Sequence, residues 1–77
     1  MEPRQIRELL AQNIRRVAGE REISLNHLAD FAGISRASLY KCLRGDEAMT
    51  VDRLGKVAGA LEVHPSQLLL PLGKKGG

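Results

Sequence analysis

The stretch Leu25 to Gly45, LNHLADFAGISRASLYKCLRG, leaves this chain few options. Ser24 predicts a helix start, because its hydroxyl can accept a backbone N–H that the first turn leaves unpaired. Leu25, Leu28, Ala29 and Ala32 then fall on one side of a short helix. Gly33 ends that helix, since glycine takes a left-handed position without a steric penalty. Ile34 plugs the corner, Ser35 caps a next helix running to Leu43 or Arg44, and Gly45 stops it. Two short helices joined at a glycine, with small Ala29 at the crossing, form a helix-turn-helix.

The second of these helices carries the chemistry. Positions 36, 37, 40, 41 and 44 share one face, while Leu39, Cys42 and Leu43 turn inward. From Phe31 to Gly45 there are three cations, Arg36, Lys41 and Arg44, and no Asp or Glu. A basic face on one element is the electrostatic footprint of a phosphate-rich partner, here double-stranded DNA.

The flanking segments read as helices too. Pro3 suits a first helical turn, where its missing N–H costs little. Ile6, Leu9, Leu10, Asn13/Ile14 and Val17 follow helical spacing, with Arg4, Arg7, Glu8, Arg15 and Arg16 on the wet side. This predicts a helix over about 3–19. Thr50 caps a helix over 51–61, with Val51, Leu54, Val57, Ala58 and Leu61 inward. Gly55 and Gly59 cost about 1 kcal/mol each relative to alanine inside a helix, and their spacing suggests that a neighbouring backbone approaches there. His64-Pro65-Ser66 opens a short fifth helix that ends before Pro71, and GKKGG reads as a flexible tail over 73–77. One all-α domain over 3–72 follows.

Composition closes off other classes. Seventy-seven residues with a single cysteine form no intramolecular disulfide. No Cys/His cluster has zinc-site spacing, no cofactor motif is present, and five short helices offer no sizeable pocket for catalysis. The core is expected to be aliphatic with one Phe and one Tyr, and Cys42 a small core residue with no cation beside it. His27 and His64 have no ligand partner, and His64 reads as a cap or surface residue. No apolar run approaches the ~20 residues that span a bilayer, and MEPRQIRELL lacks the order of a secretory signal. A soluble, cytoplasmic, non-enzymatic protein is the plain reading.

IS-LNHLADFAGISRASLYKCLRG followed by T-VDRLGKVAGALEV-HPSQLL resembles the lambda-repressor-like, Cro/XRE family of DNA-binding domains over roughly residues 6–70. The resemblance rests on Ala29, Gly33, Ile34, Ser35, Leu39 and Gly45. It implies a compact five-helix fold. The chain departs from the family where a phosphate-binding glutamine often opens the motif, here Leu25, and where an arginine–glutamate pair often sits, here Ala18 and Leu43. Two habitual glycines are Glu22 and Glu62, which are strained if the backbone is left-handed there.

Carried over position by position, the resemblance implies a recognition helix entering the major groove, with Arg36, Ala37, Ser38 and Lys41 toward the bases. Tyr40 and Arg44 lie toward the groove edge, and Ser24, Asn26 and Thr50 join Arg44 on phosphates. Asp46 and Glu47 would repel phosphate, so their loop is expected to tilt away. Relatives bind near-palindromic operators as dimers, and Leu68, Leu69, Leu70 and Leu72 are the candidate twofold interface. The implied role is a repressor-like transcriptional regulator. An antitoxin with a protein partner, a restriction-modification controller and a protein-interaction adaptor share the fold.

Overall fold

The computed structural model describes residues 2–70. Leu72 and the expected tail over 73–77 lie outside the described residues. Four α-helices follow one another: α1 (Pro3–Glu20), α2 (Leu25–Ala32), α3 (Arg36–Arg44) and α4 (Val51–Leu61). The expected fifth helix is a single 3-10 turn, Pro65–Leu69. Pro65 and Pro71 bracket only five residues, too short a span for two turns of α-helix.

Local chemistry explains each boundary. The Glu2 N–H donates to Gln5 Oε1 at 3.0 Å and closes the start of α1. Ser24, Ser35 and Thr50 accept from the N–H groups of His27, Ser38 and Arg53 at 3.1, 3.0 and 3.1 Å. His64 caps the 3-10 turn through Nδ1, which accepts from the Ser66 N–H at 3.1 Å.

All four α-helices end in a similar way. A residue just past the last turn is left-handed, and backbone N–H groups there turn back onto the last carbonyls. Gly33 (φ 73°) and Gly45 (φ 84°) do this at no cost after α2 and α3. Glu22 (φ 56°) and Glu62 (φ 59°) do the same after α1 and α4, so the strain anticipated at both positions is present.

The core joins all five elements. Ile14 from α1, Leu28 from α2, Leu39 from α3, Val57 and Leu61 from α4, and Leu68 from the 3-10 turn are completely buried. Ala29 is equally buried at the α2–α3 crossing, as its size requires. Helix α2 packs on α4, and α1 packs on both α3 and the 3-10 turn. Ala18 and Leu43, standing where relatives often carry an ion pair, are both core residues and leave no charge inside.

Several side chains depart from expectation. Val51 does not face inward: it is 84% exposed on the first turn of α4. Phe31 is also outside, 66% exposed and stacked on His27 with ring centroids 6.1 Å apart. The buried core is thus aliphatic without the phenylalanine. Gly55 and Gly59 admit no neighbouring backbone, for a Cβ at either would meet nothing within 4 Å. Leu68 is core and so drops out of the candidate interface, whereas Leu69 and Leu70 stay 42% and 52% exposed.

One buried polar side chain closes the structure. Asn13, on the inner face of α1, is fully buried. Its Nδ2 donates to the carbonyls of Leu68 at 2.8 Å and Leu70 at 2.7 Å. Its Oδ1 accepts from Arg16 Nη2 at 3.3 Å. A single amide therefore satisfies two carbonyls at the end of the 3-10 turn and ties it to α1.

Candidate nucleic-acid interface

Helix α3 is held from below by apolar contacts and from the side by polar ones. Leu39, Cys42 and Leu43 are buried, which fixes the rotation of the helix. Arg36, Ala37, Lys41 and Arg44 are consequently exposed, while Ser38 and Tyr40 are half-buried at the margins. Of the residues expected to read bases, Arg36, Ala37 and Lys41 are thus presented to solvent and Ser38 is not fully so.

Two polar rungs tie α3 to α2 across their open edge. Tyr40 donates its hydroxyl to Asn26 Oδ1 at 3.0 Å. Arg36 grips Asp30 with two bonds, Nη2 to Oδ2 at 2.8 Å and Nε to Oδ1 at 3.3 Å. Positions 26 and 30 lie one turn apart on α2, as do 36 and 40 on α3, so the rungs fall in register. The hydrogen bond from Arg36 holds the Asp30 carboxyl below its ordinary range and pushes the guanidinium further up. Both groups are therefore charged throughout the physiological range. Neither Asp30 nor its pairing with Arg36 was evident in the sequence, where six residues and a turn separate them.

The segment after α3 is braced in the same manner. Arg44 Nε donates to Asp46 Oδ2 at 3.1 Å. Glu47 accepts from Ser38 Oγ at 3.3 Å and pairs with Arg53 at 3.1 Å. Both acids are thus paired with an arginine. Arg53 also donates to the Ala48 carbonyl at 2.8 Å and reaches within 3.7 Å of Cys42 Sγ. A cation does stand beside the cysteine, contrary to expectation. Burial nonetheless pushes the Cys42 thiol up, and its S–H points to the Ala48 carbonyl at 3.4 Å.

Pairing sorts the basic residues into two groups. Arg16, Arg21, Arg36, Arg44 and Arg53 each contact a carboxylate. Lys41 has no such contact among the described residues. It stands on the exposed face of α3, one turn short of Arg44. Of the expected phosphate contacts, Ser24 and Thr50 spend their hydroxyls on capping, and Asn26 receives Tyr40.

A concavity of about 210 Å³ opens where the start of α1 meets the end of α3, bordered by Arg4, Arg7, Glu8, Leu43, Arg44 and Gly45. Among the described residues no cluster of His, Cys, Asp and Glu could hold a metal ion. No described helix is long and apolar enough to cross a membrane.

Comparison with known proteins bears on this geometry. The family model for the Cro/C1-type helix-turn-helix DNA-binding domain matches residues 13–70. A hypothetical transcription factor, NHTF, from Neisseria superposes with a TM-score of 0.83 at 29% identity, covering 94% of this chain and 83% of that one. The clp gene regulator ClgR from C. glutamicum gives 0.75 at 25% identity, with 83% of each chain covered. An HTH_3 family transcriptional regulator from Vibrio cholerae gives 0.76 at 28% identity over 83% of this chain and 36% of that one. Among curated proteins, nothing matches.

Proposed function

Because the chain belongs to the Cro/C1-type helix-turn-helix DNA-binding family, we propose that it is a sequence-specific transcriptional regulator reading the major groove with residues 36–44. One observation carries this reading. The exposed face of α3 gathers Arg36, Ala37, Lys41 and Arg44 without an acid of its own, on a helix whose rotation the buried Leu39 and Leu43 set.

Each residue has a distinct part. Lys41, outside every ion pair among the described residues, donates to an acceptor on a base edge. Ala37 is small enough to touch a thymine methyl. Arg36 presents Nη1 and the remaining Nη2 proton, because Asp30 occupies its Nε edge. That leaves the geometry suited to guanine O6 and N7, the commonest specific contact. Asp30 is then a positioning residue that pre-aims the guanidinium. Arg44, with the N-terminal ends of α2 and α4, holds phosphates and sets register.

A recognition helix of this length covers few bases, and pairing two copies on a near-palindrome multiplies the specificity. The exposed Leu69 and Leu70, on carbonyl-anchored backbone beside α1, support a twofold contact there.

The test is selection of bound duplexes from a random pool at near-physiological salt, with wild type and Lys41→Ala side by side. An enriched palindrome that Lys41→Ala blurs at one position per half-site is expected. Absence of enrichment, with weak and salt-sensitive binding alone, would overturn the assignment.

A further inference from the structure

We infer that the cleft between the start of α1 and the end of α3, which shares Arg44 with the reading face, extends the phosphate contacts onto α1 and binds the DNA backbone flanking the bases that α3 reads. The inference rests on the reading of α3 as the groove-bound helix. Its own support is different.

The cleft is lined by three arginines, Arg4, Arg7 and Arg44, against one acid, Glu8. Arg4 and Arg7 lie three residues apart, so they project from one side of α1 toward one space. Neither contacts a carboxylate among the described residues, Glu8 included. Arg44 turns Nε to Asp46 and keeps its Nη donors. Gly45 leaves one wall without a side chain. An opening of about 210 Å³ is roomy enough for a phosphate and its hydration shell.

The arginines are not there to finish helix α3. The Cys42 carbonyl already accepts from the Gly45 N–H at 3.2 Å, and that of Lys41 from Asp46 and Glu47 at 2.8 and 3.3 Å. Arg4 and Arg7 are therefore not needed by either of these carbonyls.

Distance places the cleft at the groove wall. From Arg36 to Arg44 the helix rises about 12 Å at ~1.5 Å per residue. The major groove is also about 12 Å wide. A helix that reads bases at its start therefore meets the far backbone at its end, where Arg44 and the cleft lie. Arg4 and Arg7 precede the segment matched to the family, residues 13–70.

The experiment is a DNA titration at several salt concentrations, comparing wild type, Arg4→Gln/Arg7→Gln, Arg4→Lys/Arg7→Lys and Lys41→Ala on selected and scrambled duplexes. The glutamine pair is expected to weaken both duplexes by the same factor. It should also reduce the slope of log K against log salt by about 2, since each arginine neutralises a phosphate of its own. The lysine pair keeps most of the slope, and thermal unfolding of both matches wild type. A slope unchanged by the glutamine pair, while Lys41→Ala still relaxes base preference, would overturn the cleft and leave the docking face standing. Indifference to all three variants would overturn both.

Discussion

Replacing Asn13 separates hydrogen bonding from packing at the centre of this fold. The side chain is fully buried, and its Nδ2 satisfies the Leu68 and Leu70 carbonyls at 2.8 and 2.7 Å. Asn13→Asp keeps the volume and shape but substitutes an oxygen for the donor. At neutral pH a carboxylate oxygen would then face two carbonyl oxygens with no proton between them. An orphaned buried acceptor costs about 1–3 kcal/mol. The Leu68 bond is buried and incurs the upper part of that range, while the partly buried Leu70 bond is reachable by water and incurs the lower part. A destabilisation of about 3 kcal/mol follows, against a total of about 4–12 kcal/mol for a chain of this size. The melting temperature should fall by roughly 12–24 °C.

The pH dependence of that destabilisation has a definite sign. Burial beside carbonyls raises the new carboxyl's pKa in the folded state above its unfolded value of about 3.9, partly countered by Arg16 at Oδ1. The folded variant then binds more protons than the unfolded chain, so its stability falls as pH rises through that interval. Thermal unfolding followed by far-UV circular dichroism at pH 4 and pH 7 measures both effects. An Asn13→Asp variant within about 0.5 kcal/mol of wild type at pH 7 would refute the reasoning, since packing alone would then explain the burial.

The left-handed glutamates offer gains instead. Glu62→Gly and Glu22→Gly each relieve a φ near +60° and should stabilise by about 1 kcal/mol, read as a higher urea midpoint at unchanged slope. The 3.9 Å Arg21–Glu62 pair that the first removes is exposed and contributes little. Gly55→Ala and Gly59→Ala, with open space at both Cβ positions, should add about 1 kcal/mol each in the same assay; destabilisation would mean that something covers that face of α4. Leu39→Ala, at the buried centre of α3, should cost about 2–5 kcal/mol in thermal unfolding. Asp30→Ala should leave the salt slope nearly unchanged but broaden the base preference opposite Arg36, as read by duplex selection, because the guanidinium loses its second point of fixation.

Features governed by near neighbours were legible in the chain. Ser24, Ser35 and Thr50 cap helices because a hydroxyl finds an N–H three residues on, and Gly33 and Gly45 end them by a preference of one residue. The inward rotation of Leu39, Cys42 and Leu43 followed from helical period alone. Glu22 and Glu62 were suspected only because relatives carry glycine there. What escaped depends on contacts between elements. Asn13 occupies an apolar register position, and nothing near it announces that its partners stand 55 and 57 residues away. Arg53 braces Glu47 and the Ala48 carbonyl, contacts that no local pattern announces. Val51 fits an inward periodicity but falls on the first turn, where it stays exposed. The last element opens at Pro65 and ends before Pro71 as expected, but it is a 3-10 helix because the two prolines leave too few residues for two α-helical turns.

The Asp30–Arg36 clamp has a consequence for anyone who would retarget this protein. Grafting a foreign recognition helix onto the scaffold is the obvious route to a new preference. Here the transplant would remove the guanidinium and leave Asp30 as an unpaired negative charge beside the new helix, where it would disfavour a polyanion. Tyr40 would leave Asn26 bereft in the same way. The smallest exchangeable cassette is therefore the pair of helices α2 and α3 together, and a library that randomises α3 alone samples mostly mismatched halves.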